Sequence, residues 1–286
     1  MKLDAHVHFW HYNPEEFAWV RNPDIQTDFL PGDFAHTARP EGYDGCISVQ
    51  ARFSYEENDF MLELAEHDDH IMGVVGWVNL LDDHLDDRMQ ALVRNPKLVG
   101  VRDFIDDCID ADGRIRWDFA KGLKTIETYG KVFEFVIRET QLPDALLLAR
   151  AFPGLTFVID HMAKPGVLDG RLEPWASNMK AIAKQDNVFC KLSGIATEAD
   201  PTGWSDADFK PYLDVVFNAF GPRRLMIGSD WPVCLGAGAY GRVMGIVEDD
   251  VKGRTGECTE DILGGNALRV YGIAGHALPG RTGGKA

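Results

Sequence analysis

The sequence predicts a single α/β domain folded as a (β/α)8 TIM barrel. Eight short apolar runs rich in β-branched residues recur along the 286 residues, and patterns typical of helices of roughly 10–15 residues separate them. Several runs are almost continuously apolar, as expected for strands with both faces buried in a parallel sheet. Eight such units in a chain of this length favour a closed barrel, and a doubly wound open sheet is the alternative.

The predicted strands and helices alternate along the chain. The strands are predicted at 2–9, 44–51, 71–80, 98–104, 131–137, 155–162, 188–194 and 224–232. The helices between them are predicted at 57–68, 85–95, 119–130, 142–154, 173–187 and 208–221, and two more follow the last strand. The first connection, 10–43, contains four prolines and is expected to be an extended loop over one end of the barrel. We expect the barrel to occupy 1–275 and the Gly-rich stretch 276–286 to be a flexible tail.

The overall charge limits the partners of this protein. The formal net charge is −16, which disfavours nucleic acids and anionic membranes, because both attract clustered Lys and Arg. No run approaches the ~18 apolar residues of a membrane span, and no signal peptide is recognisable. The five cysteines are odd in number and lack zinc or redox spacing, so we expect reduced thiols and a cytoplasmic protein. A small molecule remains as the expected partner, and the composition leaves the oligomeric state open.

Polar side chains at the carboxyl ends of the predicted strands define a candidate site, because the active sites of TIM barrels lie there. His6 and His8 are two positions apart on the first strand, so their imidazoles share one face. His161 follows the sixth strand and Asp230 the eighth. Barrel closure would bring these four residues to one mouth, where each is a potential metal ligand or proton-transfer group. Arg102, at the end of the fourth strand, is a further candidate catalytic residue.

Other polar residues in the strands allow more than one interpretation. Glu134, in the middle of the fifth strand, is either a metal ligand or a structural acid with a buried partner. Lys191, in the seventh strand, either contacts the substrate or pairs with an acid. Gln50 is a candidate substrate contact or a structural hydrogen-bond group, and Asp160 is expected to face outward and cap a loop.

Three tryptophans at or near strand ends suggest that the site binds a sugar. Trp10, Trp77 and Trp231 offer flat aromatic faces that pack well against the C–H faces of sugar rings. The predicted substrate-binding residues are therefore Gln50, Trp77, Arg102, Lys191, Trp231 and Trp10.

Three segments resemble the signatures of the amidohydrolase superfamily: DAHVHFW (4–10), DHMAKP (160–165) and GSDWPV (228–233). The closing segment ILGGNALRVYG (262–272) is similar to the corresponding part of this superfamily. GVRDF (100–104) and KLSG (191–194), together with DHMAKP, most resemble its lactonase subgroup, which includes hydrolases of L-fuconolactone, L-rhamnonolactone, pyrone dicarboxylate and muconolactones. The resemblance implies a barrel whose site opens a cyclic ester.

One difference from the two-metal members of the superfamily concerns the metal. Those members carry a bridging Lys or Glu on strand four and a His on strand five, where this chain has Arg102 and Glu134. We therefore expect at most one divalent ion, held by His6, His8, Asp230 and Glu134, and the imidazole ligands favour Zn²⁺. The resemblance also implies that some lactonases work without a metal, so the zinc ion is expected to be optional.

The residues and the resemblance together lead to a mechanism. Asp230 is expected to activate water as a general base, with burial raising its pKa from the ordinary ~3.9. His6, His8 or Arg102 would polarise the carbonyl, and His161 would orient the water or return the proton. We expect a neutral sugar lactone to be opened to its aldonic acid. An aromatic-pathway lactone, a metal-dependent decarboxylation and a non-enzymatic binding barrel are the alternatives.

Overall fold

The computed structural model describes residues 1–255 and 259–273, and within these residues eight parallel strands form one sheet in the order of the sequence. Their bounds are β1 Leu3–Val7, β2 Gly45–Val49, β3 Ile71–Trp77, β4 Leu98–Asp103, β5 Val132–Phe135, β6 Phe157–Ile159, β7 Val188–Leu192 and β8 Leu225–Ile227. Each lies inside a predicted apolar run. The predicted strands are therefore confirmed.

The sheet closes on itself between its first and last strands. The backbone N–H of His8 donates to the carbonyl of Trp231 at 2.7 Å, and the N–H of Asp230 donates to the carbonyl of His6 at 2.9 Å. These bonds join the end of β1 to the segment after β8, so the structure is a (β/α)8 barrel and not an open sheet.

Helices lie between the strands and after the last one. Their bounds are α1 Pro31–Ala38, α2 Tyr55–His67, α3 Leu85–Leu92, α4 Trp117–Thr128, α5 Leu142–Ala151, α6 Trp175–Ile182, α7 Asp206–Phe220, α8 Tyr240–Thr255 and α9 Asn266–Val270. The predicted helices between the strands are confirmed. The interpretation of 10–43 as an extended loop is wrong for α1, which begins at Pro31 because the fixed φ of proline suits the first helical turn.

The barrel interior has an apolar layer beneath a polar one. Val132, Val158 and Phe189 belong to a buried apolar cluster that Leu268 of α9 also joins. Side chains alternate along a strand, so residues two positions further on face the same side. The residues two positions further along β5, β6 and β7 are Glu134, Asp160 and Lys191, all fully buried.

Several expectations concern features away from the site. None of the helices in the described ranges combines the length and the apolar character needed to cross a membrane. Four cysteines of the described residues, namely Cys46, Cys108, Cys190 and Cys234, are buried and free. The expected tail, 276–286, lies outside the described residues.

Candidate active site

Two histidines of β1 and the residues after β6 and β8 converge at the carboxyl end of the barrel. Nε2 of His8 lies 3.1 Å from Oδ1 of Asp230 and 3.2 Å from Nε2 of His6. His6 and His161 approach the same carboxylate oxygen through Nε2, at 3.7 Å and 3.8 Å. The structure therefore brings together the four residues that the strand-end argument selected.

The backbone around this cluster is strained. Asp230 has a φ of 63°, and the four residues from His161 to Lys164 have φ values between 50° and 58°. Residues other than glycine in this left-handed region cost on the order of 1–3 kcal/mol each, and such conformations concentrate at functional sites. Gly194 lies directly against the ring of His161, since a Cβ there would stand 2.7 Å from Nδ1. The local chain thus aims both side chains into the barrel mouth.

A buried ion network lies on the opposite side of His6. Nη1 of Arg102 donates to Oδ2 of Asp160 at 2.9 Å. Nζ of Lys191 donates to Oε2 of Glu134 at 2.6 Å and lies 3.1 Å from Oδ1 of Asp160. The hydroxyl of Tyr271 also donates to Glu134. Two cations thus face two carboxylates, which is the condition under which buried charges are tolerated.

This network corrects three sequence-based interpretations. Asp160 does not face outward, because it continues the alternation of β6 and shares the inner face with Val158; the left-handed turn that begins at His161 brings that side chain inward as well. Glu134 does not join the donor set around Asp230, because it is held by Lys191 on the other side of His6. Lys191 is fully buried and does not line the cavity described below, so its paired role replaces the predicted substrate contact.

The charges in the cluster have a defined arrangement at neutral pH. Burial alone would raise the pKa of Asp230, but attraction to His161 and a hydrogen bond with His8 outweigh it and lower that pKa below its ordinary range. Burial lowers the pKa of His161 to about 4. Burial and the nearby Lys191 ammonium lower the pKa of His6 well below its ordinary value. Asp230 is therefore ionised beside the uncharged imidazoles of His6 and His161, and the expectation of a raised Asp230 pKa is wrong.

A cavity of about 640 Å³ opens onto this cluster and is lined by five predicted site residues, namely His8, Gln50, Arg102, His161 and Asp230. Gln50 is fully buried, and neither its amide nitrogen nor its amide oxygen has a hydrogen-bond partner among the described residues. Nε of Arg102 is equally without a partner. Buried polar atoms are nearly always paired, so these atoms mark places where a ligand supplies the partner.

The predicted tryptophans do not line the cavity. Trp10 is buried against Phe17, and its Nε1 donates to a backbone carbonyl. Trp231 is buried against Phe34, and Nε1 of Trp77 donates to Asp103 at 3.1 Å. These rings pack the loops around the mouth and are therefore not placed to make the contact with a sugar in the cavity that the sequence analysis predicted.

Other aromatic residues line the cavity in their place. Trp19, Phe53 and Phe104 line it, and all three are more than two-fifths exposed. Phe53 and Phe104 follow closely on β2 and β4, so the strand-end rule would have found them had it been applied to phenylalanine as well as tryptophan. Trp19 lies in the first connection, where no periodic pattern distinguishes it.

Three further cations line the cavity: Arg21, Arg138 and Lys164. Their concentration at one opening contrasts with the formal net charge of −16. The site therefore offers positive charge to a ligand that the surface as a whole would repel.

The donor atoms in the cluster fit a zinc ion. Ligands of tetrahedral zinc at about 2.0–2.1 Å from the metal are separated from one another by about 3.3 Å. His6 Nε2, His8 Nε2 and Asp230 Oδ1 are separated by 3.2, 3.1 and 3.7 Å. Nδ1 of His8 donates to the Val49 carbonyl at 2.7 Å, which orients the ring so that Nε2 faces the cluster. His161 forms a second group of potential ligands with His6 and Asp230.

The fold and the donor set agree with comparisons against known proteins. A family model described as amidohydrolase matches residues 3–273. The chain therefore belongs to the amidohydrolase family.

Two relatives with a named activity match almost the whole chain. The chain is 34% identical to an L-fucono-1,5-lactonase of Burkholderia multivorans, covering 96% of both sequences. It is 32% identical to an L-fucono-1,5-lactonase of Burkholderia ambifaria, covering 95% of this chain and 96% of the relative. A crystal structure of a Burkholderia multivorans amidohydrolase with bound zinc is 34% identical, with a TM-score of 0.89 over 96% of this chain and 99% of the other.

Proposed function

We propose that this protein is a lactonase that hydrolyses a sugar lactone of the aldono-1,5-lactone type to its aldonic acid. The observation that carries the proposal is the full-length similarity to two L-fucono-1,5-lactonases. The buried His and Asp cluster, which opens into a cavity with unpaired polar groups, supports the same conclusion.

Asp230 is the residue to which we assign proton removal from water. It is ionised at neutral pH and lines the cavity, so it can accept a proton there. Its low pKa makes it a weak base, and an uncharged imidazole beside it is needed to take the proton onward. His161 fits that role, because its Nε2 faces the carboxylate and its Nδ1 is held by Ser193 Oγ at 2.9 Å. His161 then returns the proton to the leaving alkoxide.

Arg102 is the residue to which we assign polarisation of the lactone carbonyl. Nη1 donates to Asp160 and Nη2 donates to the Gln50 carbonyl at 2.6 Å, so the guanidinium is fixed in place. Its Nε has no partner within the described residues, and Arg102 lines the cavity. A fixed donor at the point where negative charge develops stabilises the transition state more than a mobile one, because the donor does not have to reorganise during the reaction.

Zinc, when bound, supplies Lewis-acid chemistry that polarises a carbonyl and makes water more acidic. His6, His8 and Asp230 would hold it, with His161 in reach. We expect at most one tightly bound ion, because Arg102 and Glu134 stand where two-metal relatives carry further ligands. A lactone is an activated ester, so the cluster of imidazoles and carboxylate serves hydrolysis with or without the ion.

An anionic lactone is a second candidate substrate, and one specific observation favours it. Arg21, Arg138 and Lys164 line the cavity, and a carboxylate on the substrate would find charge-assisted partners there. The names of the two relatives favour the neutral sugar lactone.

The free buried cysteines support a cytoplasmic location for the enzyme.

A panel of lactones tests the proposal directly. Each ring opening releases a proton, so a pH indicator reports hydrolysis of aldono-1,5-lactones, aldono-1,4-lactones, uronolactones and pyrone dicarboxylates side by side. The expected result is the highest kcat/KM on a neutral 1,5-lactone, with the activity lost in Asp230→Asn. A preference for carboxylated lactones would support the second candidate. Absence of hydrolysis across the panel would contradict lactonase function.

A further inference from the structure

Part of the cavity wall comes from a loop that lies outside the barrel sheet. This loop, residues 11–28 of the first connection and here called the flap, begins after Trp10 and ends before Phe29, whose backbones exchange two hydrogen bonds of 2.9 Å. The flap contributes Trp19 and Arg21 to the wall of the cavity. Compact loops whose ends lie close together are frequently functional. The contacts that hold the flap against the barrel therefore decide where these two side chains stand.

Arg52, shortly after β2, links the flap to the barrel. Its Nη1 donates to Oε2 of Glu16 in the flap at 2.6 Å, and its Nε donates to Oε2 of Glu57 in α2 at 2.7 Å. The guanidinium also lies over the ring of Phe17 in the flap, with Cζ 5.6 Å from the ring centroid. Arg52 itself does not line the cavity. One side chain therefore contacts the flap and the barrel at the same time, from behind the wall.

The two carboxylates that Arg52 joins differ in how firmly they are held. The side chain of Glu57 is 1% exposed, and its Oε1 accepts the backbone N–H groups of Ala51 and Arg52 at 2.8 Å and 3.3 Å. The side chain of Glu16 is 47% exposed. An ion pair with a partner this exposed contributes too little to stability for its loss to unfold a protein. Glu57 is therefore the fixed partner of Arg52, and Glu16 is the partner that can separate from it.

A second contact brings Trp19 to the same turn. Nε1 of Trp19 donates to the Ala51 carbonyl at 3.2 Å, and the ring packs edge-on against Trp10 at a centroid distance of 5.8 Å. Ala51 and Phe53, the residues on either side of Arg52, also line the cavity. Arg52 thus lies where the flap part of the wall meets the barrel part.

We propose that Arg52 is a positioning residue that holds the flap against the turn after β2, so that Trp19 and Arg21 complete the substrate-binding wall. Glu57 orients the guanidinium, and Glu16 is its partner in the flap. Arg52 acts on substrate binding through the flap and does not touch the groups to which proton transfer is assigned. The kinetic test of this inference rests on the proposed function, whereas the placement of the flap can be measured without a substrate.

The first test follows the flap by amide hydrogen exchange and mass spectrometry, with no lactone present. Glu16→Ala removes the link to the flap and keeps the pair of Arg52 and Glu57. Glu15→Ala removes the same charge from the neighbouring exposed residue and is the matched control. We expect peptides that cover 13–21 to exchange about twofold to fivefold faster in Glu16→Ala, the effect of losing one half-exposed ion pair, and at the wild-type rate in Glu15→Ala. Equal exchange in Glu16→Ala and the wild type would overturn the proposal.

The second test measures kcat and KM on the lactone that the wild type hydrolyses best. Glu16→Ala should raise KM by about twofold to fivefold with little change in kcat, because only binding depends on the flap. Glu15→Ala should leave both constants unchanged. An unchanged KM in Glu16→Ala, or a fall in kcat alone, would overturn the proposal. If the wild type hydrolyses no lactone, the proposed function fails, and the exchange test still decides whether Arg52 holds the flap.

A double variant tests whether Glu16 acts through Arg52. Arg52→Met should raise KM at least as much as Glu16→Ala does, and adding Glu16→Ala to Arg52→Met should raise it no further, because the link is already broken. Additive effects on KM would overturn the proposal. Thermal melting shows whether Arg52→Met is folded. If it is not, Glu16→Ala and its control decide the question alone.

Discussion

Phe53 stacks on Phe104 at the wall of the cavity, with ring centroids 4.6 Å apart and planes inclined by 28°. Both rings are 45% exposed, although aromatic surface of this size is usually buried. A substrate that packs its C–H face against them would cover that surface. We therefore propose this pair, and not the tryptophans, as the aromatic surface that packs against the substrate.

Phe104→Ala is expected to raise KM by roughly fivefold to tenfold, because the lost contact is worth about 1 kcal/mol or slightly more. kcat should change much less, since the ring carries no group that takes part in proton transfer or charge stabilisation. Steady-state hydrolysis of the preferred lactone measures both constants. Trp117→Ala on α4, where the ring is 77% exposed and outside this cavity, is the matched control and should leave both unchanged. An unaltered KM in Phe104→Ala would contradict the assigned packing role.

Gln50→Met is expected to separate stability from activity. The substitution removes two buried polar atoms that have no partner in the described structure, so the free energy of unfolding should rise by about 1 kcal/mol. The same change removes hydrogen bonds to the substrate, and kcat/KM should fall by roughly tenfold or more.

Ser48→Ala is the control for this prediction. Ser48 Oγ is also buried without a partner, but Ser48 does not line the cavity. The substitution should stabilise the fold without changing kcat/KM. Thermal melting measures the stability of each variant, and steady-state kinetics on the same preparations measures kcat/KM. Equal kcat/KM for Gln50→Met and the wild type would contradict substrate binding by Gln50.

Asp4 makes the stability of the metal-free protein depend on pH. It accepts hydrogen bonds from the backbone of His6 and Ser229 and from the hydroxyl of Tyr240, yet burial raises its pKa to about 6 from an ordinary 3.8. The folded state therefore binds this proton more tightly than the unfolded state. The stabilisation that comes from binding this proton is present below about pH 4 and is lost as the pH rises through about 6.

Asp4→Asn keeps an acceptor for the backbone donors and removes the titration. Between pH 4 and pH 7 the wild type should lose up to about 3 kcal/mol of unfolding free energy relative to this variant, because only the wild type has the titrating carboxyl. Chemical denaturation in the presence of a chelator measures it. Asp83→Asn, at a side chain that is 95% exposed, is the control for introducing an amide. A difference that stays constant with pH would contradict the raised pKa.

The positions of the catalytic candidates followed from local rules. His6 and His8 share a face because strand side chains alternate, and Asp230 was located because barrel sites lie at strand ends. The same rules found Arg102 and Gln50. These inferences needed only the assignment of each strand and its direction, which the apolar runs supplied.

The remaining features depend on distances between strands that are far apart in the sequence. The pairing of Lys191 with Glu134, and of Arg102 with Asp160, requires the register of β4 to β7, and no short pattern encodes that register. The sign of the Asp230 pKa shift was misjudged for the same reason, since the opposing effect comes from His8 and His161 across the barrel. Asp160 continues the alternation of β6 and faces inward, and the left-handed turn that begins at His161 brings the next side chain inward as well, which no local pattern predicts.

Steady-state lactone hydrolysis by Asp230→Asn tests the assignment of Asp230 most directly. The asparagine keeps the shape of the side chain and removes the proton acceptor, so kcat should fall by roughly 10²–10⁴-fold, the usual effect of a positioned general base. KM should change much less, because the loss lies in the transition state. His161→Asn should also slow turnover, and the two defects should not add, because both residues serve one proton path. Thermal melting confirms that each variant is folded, and a folded Asp230→Asn that keeps more than about a tenth of the wild-type kcat would contradict the role of Asp230.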